Sequence, residues 1–419
     1  MVRDHPPPGK VAGRRPLEAL NFFMADTQAG IGPFLGVFLQ AKGWGTGAIG
    51  TVMTIGGIAG MLMTGPAGAL VDGTRSKRAL VVICSIFTVL ASALLWVSPS
   101  FHMVAASQIA TAIAGAALGP VLAGITLGMV RQAGFDHQFG RNQVANHAGN
   151  VIGAGLSGYL GWKYGFVAVF LLSAVFAVFS ITSVLLIPAK SIDFRAARGL
   201  ETDSSDEKVS IFRVLLRSKP LLILAASLAL FHLGNAAMLP LYGLAVVAAH
   251  QGNPAVFTAK TIVIAQLVMV FTSMVAIRMM RTRGHWWVIL LTFLALPLRG
   301  LIAAMVIKNW GVWPVQALDG VGAGLQSVAV PALVARLMRG TGHVNVGQGA
   351  VMTVQGIGAS LSPALGGLIA QMLGYRIAFL LLGGISLGSL ALWLGFARLL
   401  KCACGKPTDN NRAGDDDIS

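Results

Sequence analysis

The sequence predicts an all-α membrane protein: twelve transmembrane helices in two pseudo-symmetric six-helix bundles, with both termini cytoplasmic. Composition is the first observation behind this. Of 419 residues, 55% are hydrophobic and 11% charged, with a mean hydropathy of +0.74, whereas soluble domains carry about 25% charged residues. The second is length, because apolar runs of the roughly 20 residues needed to cross a hydrocarbon core about 30 Å thick recur along nearly the whole chain. The third is charge placement, since basic residues beside spanning segments are retained in the cytoplasm. With the N-terminus inside, 25 Lys and Arg fall on the cytoplasmic side and five on the other, Lys42, Lys163, Lys260, Lys308 and Arg376, while Arg299 lies within a helix. One missed helix would mix the two sides.

In chain order, 1–15 is a polar cytoplasmic segment containing Pro6, Pro7 and Pro8 and no cleavable signal. Apolar runs between polar or Gly/Pro breaks place helices at 16–40, 45–70, 78–97, 103–129, 143–162 and 165–188, an N-terminal bundle over 16–188. Residues 189–218, with Glu201, Asp203, Asp206, Glu207 and Lys208, form a cytoplasmic linker. The C-terminal bundle, 219–400, holds helices at 219–247, 255–280, 286–306, 312–337, 346–372 and 375–399. A polar tail over 401–419 ends in Asp415, Asp416 and Asp417 and lacks the apolar content to fold. Many of the 52 glycines sit inside apolar runs, where small residues let helix backbones approach closely.

The halves resemble each other. Ile152, Gly153, Ala154, Gly155, Leu156, Ser157 and Gly158 match Ile357, Gly358, Ala359, Ser360, Leu361, Ser362 and Pro363. At nearly the same displacement Gln108 and Arg131 fall on Gln316 and Arg339, and Thr74 and Arg75 on Thr282 and Arg283. Parallel six-helix repeats are a recurring plan in membrane carriers, with the solute site at mid-depth.

Between the second and third helices the chain reads Gly68-Ala-Leu70-Val-Asp72-Gly73-Thr-Arg75-Ser76-Lys77-Arg78-Ala-Leu80. This resembles the signature loop of the major facilitator superfamily, with Gly68, Leu70, Asp72, Lys77 and Leu80 matching. Gly73, Arg75 and Ser76 depart from the usual basic residue, glycine and arginine. The resemblance covers nearly the whole chain and implies the twelve-helix fold of that superfamily. It also implies a cytoplasmic gate built from Gly68, Asp72, Arg75, Lys77 and Arg78, in which Asp72 caps a helix N-terminus; alternatively, the basic residues serve only orientation. The C-half loop keeps Arg278, Arg281 and Arg283 but has Met280 in place of the aspartate. A Gly/Pro pattern from Gly358 to Gly367 looks like the antiporter signature of drug-efflux members, displaced into the other half.

Ionisable groups inside spanning segments cost about 2.5–3.5 kcal/mol each on insertion scales and therefore face a cavity or one another. Asp26, about 15 Å into the first helix at 1.5 Å per residue, can exchange a proton if burial raises its affinity, or can be a structural hydrogen-bonded aspartate. Asn21, Thr27 and Gln28 accompany it, and Gly30, Gly32 and Pro33 permit a bend. The repeat places Pro33 on Pro240 and Gln28 on Asn235, with His232 one turn earlier. Arg299 and Asp319 lie roughly 10–14 Å down adjacent antiparallel helices. Three roles are open to them: a permanent salt bridge, a pair that breaks during the cycle, or an arginine that receives an anion. Asn142, Asn146 and Asn150 form a stripe with His147 beside it, and Gln348 and Gln355 form another. Both are cavity lining or helix-contact glue.

The +16 net charge has no water-facing basic domain to gather it, so nucleic-acid binding is not expected. Cys84, Cys402 and Cys404 are spaced neither as a disulfide framework nor as a metal site. No phosphate loop, H-E-x-x-H or G-x-S-x-G occurs, so neither ATP hydrolysis nor enzyme chemistry is expected, and no cofactor. The resemblance implies a monomeric secondary transporter in a bacterial inner membrane, working by alternating access. Its expected solute is an amphipathic compound or metabolite exported against protons. An organic anion such as a carboxylate or siderophore, imported or exported, is the alternative, and a receptor or intramembrane enzyme the reading from another class.

Overall fold

A computed structural model describes residues 13–29, 32–198, 218–338 and 344–404. Among these residues it has fourteen α-helices, three short 3-10 turns and no strand. The helices are α1 (Arg14–Ala29), α2 (Gly32–Ala41), α3 (Thr46–Gly73), α4 (Lys77–Val97), α5 (Phe101–Tyr164), α6 (Phe166–Leu185), α7 (Lys219–Asn235) and α8 (Met238–Ala248). They continue with α9 (Pro254–Arg283), α10 (His285–Met305), α11 (Val312–Leu337), α12 (Val344–Leu373), α13 (Tyr375–Gly395) and α14 (Ala397–Ala403). Ten segments are long and apolar enough to cross a membrane, and large apolar side chains such as Ile83, Leu90, Phe271 and Leu298 are left exposed, as lipid-facing surface requires.

Two expected spans lie outside that set among the described residues. The first expected helix is described as α1 and α2, on either side of residues 30–31, which lie outside the described residues. The fifth lies in the second arm of α5, which is rich in Asn, Gln, His and Arg and so lacks the necessary hydropathy. Residues 130–142, expected to form a loop, are helical apart from Arg131, where φ 56° and ψ −179° break α5 sharply. That run contains no proline, and the arginine takes the whole reversal. A division separates α7 from α8, where the Ala237 amide donates to Ser362 Oγ at 2.9 Å. Pro240 follows this division, in α8.

The chain forms two compact units, residues 1–35 with 62–206 and residues 36–61 with 207–419. The first is centred on Leu17, Leu20 and Met24 of α1, packed with Val71, Val81, Leu118, Val121 and Ile125. Gly149 lets α5 press against α1, since a Cβ there would strike the Phe22 carbonyl. The start of the expected linker packs here as two 3-10 turns, Ala189–Ser191 and Ala196–Arg198, with the Asp193 amide donating to Gly128 O at 3.0 Å. Residues 199–217 lie outside the described residues.

In the second unit, backbone contact is the organising feature. A Cβ on Gly324 of α11 would meet Thr272 Oγ1 and Met269 O of α9, and one on Gly320 would lie 2.6 Å from Ala265 O. Gly300 of α10 faces Gly383 of α13, and Gly358 of α12 faces Ala229 O of α7. Residues 36–61 are tied to α12. Thr46 Oγ1 donates to Gly367 O at 3.1 Å, the Gly47 amide to Gln371 Oε1 at 2.8 Å, and the Ala364 amide to Thr54 Oγ1 at 2.9 Å. The expected polar tail begins as helix: α14 buries Leu400, and Arg336 Nε donates to Ala403 O at 3.1 Å. Residues 405–419 lie outside the described residues.

Candidate functional site

Three helices of the second unit bring six polar side chains together. On α11, Gln316, Asp319 and Gln326 share a face because spacings of three and seven return to one side of a helix. On α7, His232 and Asn235 do the same, and α10 contributes Arg299 two residues after Pro297. Gly320 and Gly324 hold α11 close to α9, and Gly300 holds α10 close to α13.

Arg299 is 1% exposed and Gln316 0%, whereas the Asp319 side chain keeps 13%. Arg299 Nη1 donates to Asp319 Oδ1 at 2.7 Å and to Asn235 Oδ1 at 2.6 Å, and Nη2 to Gln316 Oε1 at 3.4 Å. His232 Nε2 lies 3.1 Å from Gln326 Oε1, and its ring meets Phe231 edge-on. A buried guanidinium is sustained only when a counter-charge and hydrogen bonds both compensate its lost hydration, and all three acceptors serve that purpose. Arg299 Nε, Gln316 Nε2 and Gln326 Nε2 are buried without an acceptor. Pairing of Arg299 with Asp319 follows from their equal depth in the sequence. Gln316 and Gln326 were not expected there, although their spacing from Asp319 is the signal that finds them.

Polar groups of the first unit have other uses. Asn21 Nδ2 donates to Leu17 O at 2.8 Å, Asn146 Nδ2 to Asn21 O at 3.4 Å, and Asn150 Nδ2 to Asn146 Oδ1 at 3.1 Å, so this part of the stripe ties α5 to α1. Asn142 Nδ2 donates to Thr126 Oγ1 at 2.9 Å, and His147 lies half-buried beside the stripe. The backbone of Asp26 and Gln28 is in α1, but their side chains lie outside the described residues. In the second unit, Gln348 Nε2 donates to Pro331 O at 2.7 Å, joining α12 to α11, and Gln355 is half-buried on α12.

The loop motif is held within the first unit. Lys77, 1% exposed, donates to Val71 O at 2.7 Å, and Arg78 Nη1 to Ile187 O at 2.8 Å. Arg75 lies over the Phe194 ring at 5.7 Å. Asp72 is exposed, and Gly68 has room for a side chain. Sequence reasoning missed Glu18. It accepts from Arg141 Nε at 2.7 Å and Nη2 at 3.1 Å, and from Gln138 Nε2 at 3.2 Å, beside a cleft of about 740 Å³ that His137 and Val144 also line. Its signal is an acid and a base at neighbouring helix ends.

Residues 18–346 match the sequence profile of the Major Facilitator Superfamily. In two strains of Mycobacterium tuberculosis, proteins described as uncharacterized MFS-type transporters are 37% identical over 394 residues, covering 92% of this chain and 93% of theirs. Among solved structures, a mutant form of the nucleoside transporter NupG superposes with a TM-score of 0.78 at 14% identity, over 91% of this chain and 99% of that one. A POT family transporter in complex with 5-aminolevulinic acid gives 0.76 at 13% identity, over 93% and 96%. At these identities the structures establish the shared fold.

Proposed function

We propose, on the premise that this chain belongs to the major facilitator superfamily, that it exports an amphipathic compound or metabolite in exchange for protons. As a member of that superfamily it is an integral membrane transporter and not an enzyme. Twelve crossings with cytoplasmic termini, supported by the asymmetry of Lys and Arg along the chain, together with a monomeric state and a bacterial inner membrane, complete the reading.

The observation that carries the reading is the cluster around Arg299. Ionisable groups held inside a membrane bundle mark the path of a solute or an ion, and this one joins residues of α7, α10 and α11. Arg299, Asp319, Asn235 and His232 form the solute site. Asp26, in α1, carries the proton, with Gln28 as its neighbour. Asn21, Asn146, His147, Asn150, Gln348 and Gln355 are the helix-contact and lining residues around these groups. The motif from Gly68 to Arg78 serves the cytoplasmic gate, its basic side chains anchoring the end of α3 from which Asp72 projects. Transport of an organic anion by Arg299 would require Asp319 to release the guanidinium, which the 2.7 Å pair disfavours.

The test is a thermal-shift screen of the purified protein against metabolites, drugs and organic anions at several pH values, followed by flux of the strongest hit in everted vesicles. The expected result is accumulation driven by an imposed pH gradient, abolished by an uncoupler and by Asp26→Asn, with solute counterflow retained in that variant. Full accumulation by Asp26→Asn would remove the aspartate from coupling. Inward, proton-driven flux of an anionic hit would replace the export reading.

A further inference from the structure

The buried part of the Arg299 cluster has donors to spare. Asp319 Oδ1, Asn235 Oδ1 and Gln316 Oε1 all accept from Arg299, and Gln326 Oε1 is taken up by His232. Arg299 Nε, Gln316 Nε2 and Gln326 Nε2 are left buried with nothing to donate to, and Asn235, whose oxygen is occupied, keeps its amide donors for another group. Buried polar atoms in native proteins are almost always paired, so several unmet donors in one cluster point to a missing acceptor.

Charge narrows what that acceptor can be. The guanidinium and the carboxylate cancel, so the cluster is neutral as it stands. An anion arriving here would set a second negative charge against Asp319, and a cation would face Arg299. Either leaves an uncompensated charge in a poorly hydrated interior. A neutral group bearing carbonyl, hydroxyl, ether or ring-nitrogen acceptors satisfies the donors and leaves the pair intact. The half-buried members His232, Asn235, Asp319 and Gln326 form the open side of the cluster, with Arg299 and Gln316 closed off behind them.

Resting on the reading of this cluster as the solute site, we propose that it selects uncharged, acceptor-rich solutes, which Asn235 and Gln326 receive by donating hydrogen bonds, directly or through a bridging water. The Arg299–Asp319 pair acts as a neutral anchor that organises those donors and excludes ions of either sign.

The experiment uses the full-length protein in nanodiscs, probed by thermal shift and calorimetry with benzamide, benzoate and benzylamine, a matched neutral, anionic and cationic trio, within a library sorted by charge. Wild type is expected to bind benzamide and neutral library compounds in preference to charged ones. Gln326→Leu, which removes a donor without changing charge, should weaken neutral ligands roughly tenfold without admitting benzoate. Asp319→Asn should bind neutral ligands more weakly and gain benzoate, because the guanidinium then lacks its counter-charge. Wild-type binding of charged ligands that depends on Arg299 would overturn the selectivity while leaving the site in place. Ligands indifferent to every substitution, or no ligand in any variant, would overturn the site itself and the selectivity with it.

Discussion

Removing the carboxylate at position 319 strands a guanidinium that is 1% exposed. Breaking a buried pair from one side typically costs about 3–5 kcal/mol, whereas replacing both partners by apolar groups is often neutral. Asp319→Ala should therefore lower the melting temperature in nanodiscs far more than the double variant Arg299→Met with Asp319→Leu, while both abolish transport. A melting temperature for the double variant below that of Asp319→Ala would show that the pair holds the bundle together. The cysteines offer a second reading at this scale. Burial pushes the Cys404 thiol up to about 12, against a weaker opposing effect of Arg336, while Cys402 is exposed. Maleimide at neutral pH should label Cys402 and spare Cys404. Because the unfolded thiol ionises near 9.0, the Cys404 contribution to docking of α14 is intact below that pH and is lost as the pH rises toward 12, so Cys404 labelling should appear only there. The ion pair was legible in the sequence because Arg299 and Asp319 are charges in apolar surroundings at equal depth. Gln316 and Gln326 were not, since a glutamine in a spanning segment is too common to single out before its neighbours are known.

At the scale of elements, glycine divides into positions that permit contact and positions that do not. Gly324 sits where any Cβ meets α9, and nothing lies within 4 Å of a Cβ at Gly155. Gly324→Ala should destabilise by about 1–3 kcal/mol through overpacking. Gly155→Ala should stabilise by about 0.5–1 kcal/mol through helix propensity. Thermal unfolding of the two variants checks this, and shifts of the same sign would contradict the packing of α9 on α11. Helix positions were readable from apolar runs because burial in lipid imposes length. The helical stretch after Arg131 was not, because its polar residues look like a loop until Asn142 and Asn146 are seen bonding to Thr126 and Asn21. The division of the seventh helix was not legible, because it depends on Ser362 from α12 to receive the Ala237 amide.

For the whole molecule, charge asymmetry predicts which segments face outward. Cysteine placed at Lys42 or Lys308 should react with an impermeant maleimide on intact cells, and cysteine at Arg195 only after permeabilisation. Labelling of the first two solely from the cytoplasm would overturn the threading of the chain. The repeat and the apolar runs made the helical plan readable, but no local pattern could show that residues 36–61 gather with the later part of the chain, because that grouping depends on partners far away in sequence. It has a consequence for biogenesis. Thr54 finds the Ala364 amide 310 positions later, and Gln40 reaches Tyr375 across 335. During synthesis α2 and the first half of α3 therefore enter the bilayer long before their partners leave the ribosome, and must wait, with glycine-lined faces uncovered, for almost the last helix to arrive.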